Sequence, residues 1–86
     1  MPTTNVSVTT SWTKIAEAGE AFLLSANVRA VVQVATTTAD AAPVVEGHQL
    51  SVGDSQDALI RDVIGAGYVW VRTVGNWPGA TLVLTK

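Results

Sequence analysis

Residues 68–74 read YVWVRTV, and no other stretch so narrows what the chain can fold into. A β-strand points successive side chains to opposite faces. One face of this run is then Tyr68, Trp70, Arg72 and Val74; the other is Val69, Val71 and Thr73. Both faces carry large apolar groups. A small protein has one core, so the second face needs other cover. Either a loop or the N-terminal segment of the same chain supplies it, or a neighbouring molecule does. An aromatic ring hides roughly 150–250 Å², which at about 25 cal/mol per Å² is about 4–6 kcal/mol of gross burial before association costs. Trp, Tyr and Arg are also the residues enriched at interface hot spots. Tyr68, Trp70 and Arg72 are therefore candidate partner-contact residues.

The rest of the chain also reads as short strands. Val and Thr are abundant, and both suit a pleated surface. Residues 5–10 (NVSVTT) alternate Val6 and Val8 with polar groups; SWTKIA follows, with Trp12 and Ile15 as apolar anchors, Trp12 being assigned to the core. EAGEA, with Gly19, reads as a turn, and FLLSA as a strand. NVRAVVQVA (27–35) alternates most clearly, with Val28, Ala30, Val32 and Val34 on one face and Arg29, Val31 and Gln33 on the other. TTTADAAP is a loop; VVEGHQLSVGD holds Leu50 and Val52 between the turn candidates Gly47 and Gly53. SQDALIRDVIGAG fits a bulged strand or one short helix, and its length favours the strand. ATLVLTK closes the chain, with Leu82 and Leu84 in phase. About seven or eight short strands separated by turn signals predict an all-β domain, a small antiparallel β-sandwich or jelly-roll-like barrel. Residues 2–10, from Pro2 to Thr10, have a second reading as an extended N-terminal arm.

A chain of 86 residues makes a single domain, 1–86. Such a domain buries roughly 60–65% of its unfolded surface, so it needs support. Cysteine is absent, which excludes disulfides, thiolate metal sites and a Cys nucleophile. A zinc site would have to lean on carboxylates beside the single His48. No metal or cofactor is expected. The remaining supports are good β pairing or oligomerisation. Five basic residues (Lys14, Arg29, Arg61, Arg72, Lys86) are scattered against seven acids, so no basic patch suggests nucleic acid. The start, MPTTNVSV, lacks the charged and apolar regions of a signal peptide, and no run approaches the roughly 20 apolar residues of a membrane helix. The expectation is a soluble protein made in the cytoplasm.

Enzymatic constellations are weak. Ser51, His48 and Asp54 lie close in sequence, but no G-x-S-x-G elbow or oxyanion signal accompanies them. Glu17 and Glu20 flank a turn, whereas a glycosidase pair faces across a cleft from separate elements. GDSQD (53–57) lacks the spacing of a calcium loop. No catalytic residue is assigned. GNWPG is more informative: Trp77 sits in a loop bracketed by Gly75 and Gly79, with Asn76 and Pro78 fixing the turn. Trp77 either caps the core, meets a partner subunit, or stacks on a sugar ring with Asn76 supplying hydrogen bonds.

The order of features carries a resemblance: VTTSWTKIAEAGEAFLL, then VVQVA, a Pro-containing loop, GHQLSVGD, GYVWVRT and a short final strand. From about Val6 to Leu84 this resembles a loose group of small β-structured phage virion proteins, in which a Trp near the first strand and a vWvR-like strand near the end recur. The resemblance implies a structural role on a particle, as head decoration (cement) protein, head fibre or tail-fibre component. It implies location in the virion, capsid or other virion proteins as partners, and no catalytic residues. The expected function is thus non-enzymatic decoration or stabilisation of a virion by a homo-oligomer, with a trimer as the working guess. Interface candidates are Tyr68, Trp70, Arg72, Trp77 and residues 2–10. The alternative is a carbohydrate-binding module of a fibre or adhesin, using Trp77, Asn76, Tyr68 and Asp54.

Overall fold

The computed structural model describes residues 2–52, 59–61, 67–75 and 77–86, with the backbone alone for 50–52 and 59–61. The described residues form eight strands in chain order: β1 (Thr3–Thr9), β2 (Thr13–Ala16), β3 (Phe22–Ser25), β4 (Ala30–Thr37), β5 (His48–Val52), β6 (Leu59–Arg61), β7 (Tyr68–Thr73) and β8 (Gly79–Thr85). They pair into two four-stranded sheets of order β1-β8-β3-β6 and β2-β7-β4-β5. Every pairing is antiparallel. This order, with the chain passing back and forth between sheets, is that of a jelly roll, two interleaved Greek keys. The Cα principal-axis extents are 29 × 29 × 17 Å.

The core lies between the sheets and follows the alternation. From the first sheet come Val8, Phe22, Leu24, Leu82 and Leu84; from the second come Ile15, Ala16, Val32, Val34, Val69 and Val71. Register keeps these in phase: Val34 is opposite Val71, and Leu24 is opposite Leu84. The register shifts between Lys14 and Ala16, so Ile15 and Ala16 are consecutive and both buried. A bulge permits this where strict alternation would send one of them outward.

Two sequence readings of the strands change. Val28 was placed on the buried face of its strand, but β4 begins at Ala30 and Val28 stands 79% exposed in the preceding arch. Residues 3–9 are not a loose arm, because β1 is paired along its whole length with β8, from Thr3 opposite Thr85 to Thr9 opposite Gly79. Residues 59–61 are strand, as the length of that stretch favoured. The turn candidate Gly53 and residues 55–58 and 62–66 of the strand-or-helix stretch lie outside the described residues.

The topology sorts the connections. Those at 10–12, 74–78 and 26–29 each arch from one sheet to the other at one end of the sandwich, side by side in that order. The turn at 17–21 and the long β4–β5 connection leave from the opposite end. The first of these closes through Glu20 N–H donating to the Glu17 carbonyl at 3.1 Å, with Gly19 at φ 78°.

One inward group is mismatched. Thr73 is 2% exposed, and its Oγ1 has no hydrogen-bond partner among the described residues. An unpaired buried hydroxyl costs more than an apolar isostere does. Thr73→Val is expected to raise the urea unfolding free energy by about 1 kcal/mol, whereas Thr73→Ser, which keeps the hydroxyl and removes the methyl, lowers it by about 1 kcal/mol.

Candidate functional site

Strand β7 answers the question raised by its sequence. Val69, Val71 and Thr73 face the core, at 1%, 0% and 2% exposure. Tyr68, Trp70 and Arg72 therefore face outward, and all three are half-buried. Cross-strand register assembles an outer face around them. Lys14 and Ala35 flank Trp70, Gln33 lies beside Arg72, and Thr37 lies beside Tyr68.

The cover comes from the same chain. Trp12 lies just before β2, in phase with Lys14, and is half-buried on this outer face rather than in the core. The Arg72 guanidinium stacks 4.3 Å from its ring centroid. Its far edge reaches the β4–β5 connection: a Cβ on Gly47 would lie 3.1 Å from Trp12 Cη2 and 2.7 Å from the Val34 carbonyl oxygen. Only glycine fits there, because the Val34 carbonyl is backbone and cannot give way. The connection itself, residues 38–47, acts as a strap with Pro43 buried beneath it.

Two charged clamps hold the strap. At one, Lys14 Nζ lies 2.8 Å from Asp40 Oδ1 and 2.7 Å from Glu17 Oε2, and 5.3 Å from the Tyr68 ring centroid. Its hydrogen bond to Asp40, then that to Glu17, holds the ammonium protonated well above the usual lysine range. At the other, Arg72 donates from Nε and Nη2 to Gln33 Oε1 at 2.9 and 2.8 Å, and from Nη2 to Glu46 Oε2 at 3.0 Å. Between them Trp70 Nε1 donates to Thr37 Oγ1 at 2.9 Å, and that hydroxyl donates to the Ala39 carbonyl at 2.7 Å. The carboxylates of both clamps are largely solvated, so solvent screening leaves each ion pair a small contribution. Gln33 is different. It is 7% exposed, and Arg72 is what satisfies its oxygen.

The remaining candidates fall in separate places. Trp77 is 37% exposed in the β7–β8 arch, where its N–H donates to the Val74 carbonyl at 3.2 Å. Gly75 takes φ 62° in that turn, which favours glycine. Asn76 lies outside the described residues, as do Asp54 and the side chain of Ser51, and with them the acidic loop at 53–57. His48 is exposed at the start of β5. Glu17 and Glu20 are not arrayed across a cleft: Glu20 Oε1 accepts from the Glu17 N–H at 3.0 Å and pairs with Lys86 at 3.3 Å. No group of three metal-ligating side chains occurs among the described residues. A half-open cleft of about 270 Å³ lies between the strap and β4, lined by Val34, Ala35, Thr36, Val45, Glu46 and His48.

Sequence reasoning missed the exposed apolar positions. Val44 is 98% exposed and Val45 63%, both on the strap; Leu23 is 41% exposed on β3. The signal for Val44 and Val45 was their place beside Pro43 at the end of a polar loop, where no alternation buries them.

Removing Arg72 differs from removing its acid. Arg72→Ala uncovers Trp12 and strands the Gln33 oxygen, at an expected cost of about 1–3 kcal/mol in urea unfolding, with a red shift in tryptophan emission. Glu46→Ala costs less than about 1 kcal/mol and leaves the emission in place.

No family model matches the chain, and no curated protein or solved structure matches it.

Proposed function

We propose that this chain is a non-enzymatic structural protein of a phage particle, seated on neighbouring virion subunits by apolar contacts of its β domain. The observation that carries this reading is where the large apolar side chains lie. Val28 and Trp77 project from neighbouring arches at one end of the sandwich, and Val44 and Val45 project from the strap, at 79%, 37%, 98% and 63% exposure. The sparse charge around them, with 14% charged residues in all, lowers the desolvation cost of docking. Jelly rolls occur among viral capsid domains and lectins, although the fold alone does not choose a function.

The contact set shifts from the strand to the loops. Tyr68 lies under Lys14, Trp70 bonds Thr37, and Arg72 is held by Trp12, Gln33 and Glu46 of the strap, so they shape the surface from beneath. Trp77, Val28, Val44 and Val45 supply the contact itself. The mechanism is mechanical. Each copy adds a modest buried patch across a joint between subunits, and symmetry-repeated copies gain by avidity.

A second reading is favoured by Trp77 alone: an exposed indole in a loop at one end of a jelly roll can stack on a sugar ring. The two readings separate experimentally. The full chain is mixed with particles purified without it and sedimented. Co-sedimentation is expected, weakened at least about tenfold in Val44→Asp/Val45→Asp and in Trp77→Asp, a loss of about 1.4 kcal/mol or more. A chain that stays in the supernatant, and whose tryptophan emission is saturably quenched by a sugar unless Trp77 is replaced by Ala, overturns the particle reading in favour of glycan binding.

A further inference from the structure

The first sheet ends at β1, and that edge has none of the usual protection. Natural sheets blunt free edges with charge, proline, bulges or short strands. The other edges are shorter: β2 is four residues long and bulged and carries the clamped Lys14, β6 is three residues long, and β5 is five. Strand β1 is seven residues long, its register with β8 is unbroken, and its sequence TTNVSVT contains no charge and no proline.

Its open hydrogen-bonding groups can be assigned. Lys86 N–H donates to the Pro2 carbonyl, which makes Pro2 and Lys86 a hydrogen-bonded pair. Antiparallel pairs alternate between bonded and non-bonded. Thr4, Val6 and Val8 therefore exchange bonds with β8, whereas Thr3, Asn5, Ser7 and Thr9 direct their backbone N–H and C=O away from it. The side chains agree. Thr3 Oγ1 and Thr85 Oγ1 are hydrogen-bonded at 2.7 Å, as befits the closer spacing of a non-bonded pair. Among the described residues, no hydrogen bond reaches the backbone groups of Asn5 or Ser7 from outside.

We infer that β1 is a self-pairing edge, joining two copies of this chain antiparallel about a two-fold axis at Val6. The occupant is argued from the strand's own symmetry. Reversed about Val6, the strand sets Thr3 opposite Thr9, Thr4 opposite Val8, Asn5 opposite Ser7, and Val6 opposite its twin. The residues with open backbone groups meet each other, so the pairs Thr3/Thr9 and Asn5/Ser7 bond across the axis. The inward set Thr4, Val6 and Val8 continues the core side of the sheet, and the outward set stays polar. Val6 is only partly buried and packs on the core, so its twin closes the gap at the edge. The absence of charge on β1 means that two like copies meet without repulsion. The product is a continuous eight-stranded sheet through both copies, a two-fold pair in place of the trimer. This inference does not depend on the particle reading.

Sedimentation and amide hydrogen exchange of the full chain across a concentration series test it. The expected result is a mass rising from one chain to two, with the amides of Asn5 and Ser7 gaining protection in step, while those of Val6 and Val8 are protected throughout. Ser7→Pro removes an N–H that the chain's own ladder does not use, so a folded monomer is expected at every concentration. Asn5→Lys places like charges near the axis and decides the matter should the proline variant misfold; it too is expected to be monomeric. A wild-type mass of one chain at all concentrations overturns the inference and leaves the edge to a strand of another protein. A dimer unchanged by Asn5→Lys, with Asn5 and Ser7 amides still exchanging freely, overturns it in favour of another interface.

Discussion

A strand apolar on both faces has to be covered twice. Strand β7 meets this with two layers of different strength. Inside, Val69 and Val71 pack against the opposing sheet as part of a continuous core. Outside, Trp12 and the strap lie over Tyr68, Trp70 and Arg72, held by clamps whose acidic ends are in water. The inner layer is bound by area, at about 25 cal/mol per Å². The outer layer is bound by a few directional contacts, each far weaker than the burial of a leucine. The two layers are therefore unequal in cooperativity: the sandwich unfolds as a unit, while the strap belongs to the class of elements that open locally at low cost.

That division arranges the surface. In a jelly roll the cross-sheet arches gather at one end, and here they carry Val28 and Trp77. The strap carries Val44 and Val45. The cleft beside the strap brings one carboxylate residue and one imidazole residue to its lining, and the paired acids at 17 and 20 are engaged with each other's turn and with lysines. What the described surface offers is apolar area on loops and open strand edges, of which β1 is the longest.

Much of the sandwich was legible in the sequence. Alternation in 80–84 put Leu82 and Leu84 in phase, and the spacing of turn residues set the strand number; alternation in 68–73 separated Val69 and Val71 from Tyr68 and Trp70 without saying which set turns inward. Alternation fails where a strand begins or bulges. Val28 is in phase with Val32 but precedes the first paired residue, and the phase of β2 is broken at Ile15. The candidate site was legible only in part. The pattern of β7 says that two faces need cover but not which segment supplies it, because the strap's contacts join residues such as Lys14 and Asp40 that are distant in sequence. Trp12 looked like core because size and apolarity do not reveal side. Its partner Arg72 is a cation that the core would have excluded.

Gly47 leaves a lasting mark on how this chain can vary. A Cβ there would meet the Val34 carbonyl oxygen at 2.7 Å on one side and Trp12 Cη2 at 3.1 Å on the other. A smaller residue at 12 would relieve only the second of these, because the carbonyl belongs to the backbone of β4. Position 47 is thus held to glycine by the sandwich itself, and the strap can vary on either side of it but not at it.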